Sequence, residues 1–315
     1  HKAYQQFSGD GGDRYCIVNQ LNWYRDEWRM TDLTDEEISY LAGSLDGQTY
    51  LYPGGERKDF YALDPVVEPN SINVLMEASE MVKFEGGLDD LLQSGLSGED
   101  SEDTFIVPDE NPDFVENEIC RVEFDENGSI TSLYHKAYDR EFIAENGALN
   151  RFVIGEDVPE LWDNWDIDED QHLFMKPLGK PASRKVIQQG SVFVAIRSEY
   201  EFGNKSKIIQ DTLIFSESDR IEFHTWVDWH EKHTLLKTEF DVDFHNPDAR
   251  HEIQFGFVDR PTHSNYLHDR ARFEVSQQKW SAISEPEDGV ALFNDCKYGI
   301  GTRDNQMSLT LIKSG

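Results

Sequence analysis

The chain has 315 residues, 38% of them hydrophobic and 12% aromatic, which supplies a real core and excludes global disorder. Sixty-two acids against 29 bases leave a formal net charge of −33, which argues against nucleic acid or an anionic membrane surface as partner. The length predicts one large domain with a smaller companion.

In chain order, Tyr15 to Asn22 reads as a strand ending at Trp23. Residues 31–39 (TDLTDEEIS) predict a capped acidic turn or short helix, with Thr34 or Asp35 as the cap. Ser71 to Phe84 predicts one or two strands. From Gly86 to Pro112 the composition turns to Gly, Ser, Asp and Glu, the character of an excursion or linker. The expected division is a small β unit over 1–115, ending in an acidic Gly/Ser-rich linker at 86–115, and a large β domain over 116–315.

Beyond residue 116 strand grammar becomes regular. Ile119 to Phe124, Asp125-Glu126-Asn127-Gly128 and Ser129 to Tyr134 spell a hairpin with Asn-Gly at its turn. Ile221, Phe223, Thr225, Val227 and Trp229 share one face of a strand, with Glu222, His224, Trp226, Asp228 and His230 on the other. After a hairpin turn at His230–His233, Leu236, Thr238, Phe240, Val242 and Phe244 form an apolar face. Leu235, Lys237, Glu239, Asp241 and Asp243 form a polar one. Runs at 185–202, 206–215, 251–258 and 271–283 supply further strands. No sustained helical period follows residue 90, and no fixed repeat occurs. The expected class is all-β: a large antiparallel β-sandwich with a smaller, partial β unit at the amino end.

Cys16, Cys120 and Cys296 are odd in number and widely spaced, which predicts reduced thiols and a cytoplasmic location. No CxxC or Cys–His pair has zinc spacing, and no apolar stretch is long enough to span a bilayer. His230 and His233 flank Glu231 in a turn, without the helical geometry an HExxH-type metal site requires. No pair stands out among the 62 carboxylates for glycoside chemistry, and there is no GxSxG, P-loop or GxGxxG.

Three segments carry more pointed chemistry. Trp162-Asp163-Asn164-Trp165-Asp166-Ile167-Asp168 offers aromatic plates for a sugar face and acceptors for vicinal hydroxyls; its bland alternative is a Trp-anchored loop packed on the sandwich. Arg260-Pro261-Thr262-His263-Ser264-Asn265 is a polar loop leaving a strand. Asn294-Asp295-Cys296-Lys297-Tyr298-Gly299 closes the run Val290 to Phe293 as a turn. Lys297 could lower the Cys296 pKa, but no base is placed for a thiol nucleophile.

At these residues the chain resembles a known family. Glu116-Asn117-Glu118 with Arg121 to Asp125, Gly128-Ser129-Ile130 and Ser132-Leu133-Tyr134 resembles the opening of the carboxy-terminal β domain of family 38 glycoside hydrolases, the α-mannosidases. Trp162 to Asp168, Val227 to Glu231, Leu235 to Lys237, Glu252 to Gly256, Arg260 to His263, Gln278 to Trp280, Ser284-Glu285, Gly289 to Leu292 and Asn294 to Gly299 follow in the family's order. The set is similar to the cytosolic and bacterial branch. Val18-Asn19 with Leu21-Asn22-Trp23 resembles the preceding strand, whereas residues 24–115 match loosely.

The resemblance implies a galactose-mutarotase-like supersandwich, part of a retaining α-mannosidase in which catalytic carboxylates and zinc, or a similar divalent metal, lie upstream. It therefore implies no catalytic residue, cofactor or metal ligand in this chain, which is expected to be truncated at both ends. The expected partners are amino-terminal catalytic and helical domains of the same polypeptide and an α-mannoside or oligosaccharide, with a homo-oligomer compatible. Residues expected at the lip of the sugar pocket are Trp162, Trp165, Asp166, Arg260, His263, Asn294 and Asp295. Two alternatives remain: a stand-alone carbohydrate-binding module, or an aldose-epimerase-like enzyme using His and Glu as acid and base.

Overall fold

The alternation that begins near residue 116 is realised as strands almost throughout. A computed structural model describes residues 104–216, 218–286 and 288–315, together with the backbone of six earlier strands. Those six are β1 (Tyr4–Gly9), β2 (Gly12–Val18), β3 (Arg29–Thr31), β4 (Gly47–Leu51), β5 (Arg57–Tyr61) and β6 (Ile72–Leu75). They pair antiparallel in the orders β1-β2-β6 and β3-β5-β4. The acidic turn or helix expected within 31–39, and the linker up to residue 103, lie outside the described residues.

The strands that follow are β7 (Phe114–Glu116), β8 (Cys120–Phe124), β9 (Ile130–His135), β10 (Arg140–Glu141), β11 (Leu149–Glu156) and β12 (Lys176–Pro177). Next come β13 (Ser183–Gln189), β14 (Phe193–Phe202), β15 (Ser206–Phe215), β16 (Ile221–Asp228), β17 (Thr234–Asp241), β18 (Asp248–Ile253) and β19 (Gly256–Pro261). The last are β20 (Val275–Ser276), β21 (Trp280–Ser284), β22 (Gly289–Phe293), β23 (Gly299–Arg303) and β24 (Gln306–Ser314).

A ten-stranded sheet runs β20-β23-β24-β17-β11-β9-β8-β7, with β10 and β12 paired at its side; β13-β14-β15-β16 and β19-β18-β21-β22 form two four-stranded sheets. One hydrophobic cluster joins all three. Val122, Ile130, Phe240 and Leu309 come from the large sheet, Val194, Ile196 and Ile214 from the second, and Ala249 and Ile283 from the third. Phe223 and Phe240 meet across the layers at 6.1 Å between ring centroids. Two layers of antiparallel sheet over one core make a β-sandwich, as the alternation predicts. Phe105, within the segment read as linker, is also part of that core.

The β8–β9 hairpin forms where the sequence places it, with a wider turn than a bare Asn-Gly pair gives. Asp125 Oδ1 accepts from the backbone N–H of Asn127 (2.9 Å) and Ser129 (2.8 Å), and Gly128 alone takes a positive φ of 82°. The register shifts there between Glu123 and Phe124.

The predicted hairpin at 230–233 is not one. β16 pairs with β15 and β17 pairs with β11 and β24, so the connection arches from one layer of the sandwich to the other. Glu231 holds that arch, accepting from Asn204 N (2.6 Å), Asn204 Nδ2 (2.9 Å) and Ser206 Oγ (2.7 Å) at the β14–β15 turn. Two face assignments also change. Trp226, read on a polar face, packs against a second cluster of Phe193, Leu213 and Phe215, so the β13–β16 sheet is apolar on both sides. Leu235, read the same way, is fully buried beside a register shift at Leu236/Lys237. Between the layers Asn150 Nδ2 donates to Gln210 Oε1 (2.7 Å), and Gln210 Nε2 donates to Thr225 Oγ1 (2.9 Å), which fills the hydrogen-bonding capacity of a buried polar pair.

Candidate functional site

The aromatic-acidic loop leaves β11 and turns tightly at Trp162, whose φ is 59°. The N–H groups of Trp165 (2.6 Å) and Asp166 (3.0 Å) both donate to Trp162 O, and Glu160 N donates to Asp168 Oδ2 at 2.9 Å. The chain then enters a 3-10 helix, Glu169–Leu173, pinned by Gln171 Nε2 donating to Glu156 O at 2.8 Å. Asp163 Oδ1 stands 3.6 Å from His233 Nδ1 in the arch. The loop is thus anchored by its polar residues, while Trp162 and Trp165 are 71% and 90% exposed. They do not anchor it by packing. The turn therefore leaves both indoles largely open to solvent.

Beside this loop, on the outer face of the ten-stranded sheet, lies a cleft of about 300 Å³. Its floor carries Lys237 and Glu239 of β17 with Gln306 and Ser308 of β24. One wall is Ile167 to Gln171; the other is Pro261 to Ser264 and Asp269 to Phe273. The walls are tied by Arg270, whose Nη2 lies 2.8 Å from Glu169 Oε1. Arg270 belongs to the single helical turn α1 (Leu267–Arg270). Asp269 is buried beneath two imidazoles, His268 Nε2 at 3.1 Å and His263 Nδ1 at 3.5 Å, and accepts from Tyr266 N at 3.2 Å. In the floor Lys237 Nζ pairs with Glu274, while Arg151 bridges Glu239 and Asp241 at 2.9 Å each.

Of the residues expected at a sugar pocket, His263 lines this cleft. Trp162, Trp165 and Asp166 sit on the turn just before its wall, with Asp166 Oδ1 accepting from Ile167 N at 3.1 Å. Arg260 donates to Ser276 O (3.2 Å) and is not on the wall; burial, then the charge of Arg272, lowers its pKa. Asn294 and Asp295 lie elsewhere, in the turn after β22, where Asn294 Oδ1 accepts from Lys297 N at 2.7 Å. Neither lines the cleft. Cys296 has its pKa raised, by a hydrogen bond with Asp295 and by burial, so Lys297 does not activate the thiol.

Sequence reasoning missed Lys237, Glu239, Asp269, Arg270, Arg272 and Arg303 as cleft residues. One signal was present: His268-Asp269-Arg270-Ala271-Arg272 is a basic island in an acidic chain. The carboxylates of the cleft each face a cation or imidazole, an arrangement suited to holding a polar ligand. Among the described residues no group of three or more His, Cys, Asp or Glu is placed to hold a metal, and the Asp269 imidazoles converge on one carboxylate.

The fold is shared with solved glycosidases. An alpha-mannosidase from Enterococcus faecalis V583 superposes with a TM-score of 0.57 at 14% identity, over 96% of this chain and 39% of that one. A second Enterococcus faecalis structure, a protein in glycosyl hydrolase family 38, gives 0.55 at 13% identity over 96% and 35%. They share the all-β fold of this chain. A family model described as "Glycosyl hydrolases family 38 C-terminal domain" matches residues 115–315, and the chain belongs to that family. It is 40% identical over 202 residues to Alpha-mannosidase 2C1 of Mus musculus, covering 64% of this chain and 19% of the relative, and equally so to that of Homo sapiens. Alpha-mannosidase G of Dictyostelium discoideum is 38% identical over 209 residues, with coverage of 64% and 19%. The chain thus spans about a fifth of the length of the curated relatives it matches. No helix among the described residues is long and apolar enough to cross a membrane.

Proposed function

We propose that this chain is the carboxy-terminal, non-catalytic β domain of a retaining α-mannosidase, and that it contributes a lip to the sugar pocket of the whole enzyme. The observation that carries the reading is the 40% identity over 202 residues to alpha-mannosidases five times as long, which leaves most of each relative outside this region. In this reading the nucleophile, the acid/base and the zinc belong to other parts of the polypeptide. The natural partners are those catalytic and helical domains and an α-mannoside or oligosaccharide. A cytoplasmic setting fits the free thiols of Cys120 and Cys296.

The lip is the Trp162–Asp168 loop. The exposure of Trp165 supports it, because an indole kept in water by a polar turn gains from stacking on a pyranose. The test is Trp165→Ala in the full-length enzyme, assayed on an aryl α-mannoside. A fall in kcat/KM of about tenfold, roughly 1.4 kcal/mol, is expected with an almost unchanged unfolding midpoint. Unchanged kinetics would remove the lip. Chelator-sensitive hydrolysis by this chain alone would overturn the non-catalytic assignment.

A further inference from the structure

In a chain with 29 bases and 62 acids, most of the described arginines are paired with a carboxylate. Arg121, Arg140, Arg151, Arg197 and Arg250 each rest on acidic side chains at 2.7–3.3 Å. Arg272 and Arg303 do not. Neither guanidinium has a hydrogen bond or ion pair among the described residues, and both line the cleft. Arg260 stands near enough to Arg272 to feel its charge, and donates only to a backbone carbonyl. The nearby acids are already engaged: Glu169 by Arg270, Glu274 by Lys237, Asp269 by two histidines. Arg184 also lacks a carboxylate partner but lies outside the cleft, whereas Arg272 and Arg303 both line it. Like charges gathered this way raise the local potential and favour an anion that neutralises them.

We infer that this cleft is a binding site for a phosphate monoester carried on a sugar-sized body. Arg272 and Arg303 come from different segments, the stretch after α1 and the end of β23, and both line the cleft, so together they offer more donors than one carboxylate accepts, as the three oxygens of a phosphate monoester require. A planar carboxylate would be satisfied by one guanidinium fork. The cleft, at about 300 Å³, has the size of a small-ligand site. Thr302, Gln306 and Ser308 offer hydrogen bonds to hydroxyls, and Phe273 offers an apolar face. The choice of mannose as the sugar body rests on the α-mannosidase reading, whereas the anion site itself rests on the cleft's two guanidiniums.

The test is calorimetric titration of the full chain with mannose 6-phosphate, inorganic phosphate and mannose. Saturable binding of mannose 6-phosphate is expected, weakened about tenfold or more by Arg272→Gln and by Arg303→Gln, and unaffected by Arg121→Gln. Inorganic phosphate binding as tightly as the ester would show that the phosphoryl group is recognised without its sugar, and would overturn the sugar part of the inference. Mannose binding as tightly as its phosphate, or neither anion binding at about 10 mM, would overturn all of it. Phosphate-induced shifts at the amides of Gly301, Thr302 and Ser308 in the unaltered chain locate the site independently of any variant. Shifts confined to other residues would place the anion elsewhere and also refute it.

Discussion

Phe240 and His251 show how position alone sets what a residue does. Phe240 is 5% exposed and faces Phe223 across the sandwich. Truncation to Ala removes a ring from the contact between layers and is expected to cost about 3–5 kcal/mol, read from denaturant unfolding. A loss below about 1 kcal/mol would mean that the layers close over the space. His251 is 0% exposed, and burial, then the charge of Arg260, pulls its pKa down to about 4. Its Nδ1 lies 2.7 Å from Ser281 Oγ. The folded protein thus binds fewer protons here than the unfolded chain between the ordinary histidine value and about pH 4. The resulting stability is present above about pH 6.5 and lost as pH falls through that window. Going from pH 7 to pH 5 should cost about 2 kcal/mol through this residue. His251→Gln should flatten the slope over that interval; an unchanged slope would assign it to other groups.

At the scale of elements, the arch between β16 and β17 is the decisive joint. It carries the chain across the core, and Glu231 is its clasp, with three donors from the β14–β15 turn. Glu231→Ala leaves those donors to water and frees the turn. A cost of about 1–3 kcal/mol is expected, with faster amide exchange at Asn204 and Ser206. Exchange rising uniformly over the sandwich would argue against a local clasp. The alternation in this stretch was legible because burial imposes a period of two on any half-buried strand. The strand's partner was not legible: a five-residue link reads the same whether it closes a hairpin or crosses layers. Trp226 was misassigned for a related reason. Its polar neighbours implied one buried face, whereas the β13–β16 sheet buries apolar side chains on both.

At the scale of the molecule, the charge of −33 sets the electrostatics. Self-repulsion of a surplus this large works against compactness, and salt screens it. Raising salt from about 20 to about 300 mM should lift the thermal midpoint, on the order of 5 °C, because repulsion outweighs the surface ion pairs that are screened with it. A fall in midpoint would show that the ion pairs dominate.

The sequence by itself determined the all-β class, the strands with clean alternation, the β8–β9 hairpin and, through motifs in order, the family. All of these depend on neighbours near in the chain, or on a run of residues read as text. Only the tertiary structure decided that Trp165 stands in water, that Asn294 and Asp295 do not line the cleft, and that His263 shares it with Arg272 and Arg303. His263 follows β19, Arg272 follows α1 and Arg303 ends β23, and they share the cleft because elements of different sheets pack side by side. A charge's neighbours in space are fixed by which strands lie side by side, and local residue patterns do not carry that choice.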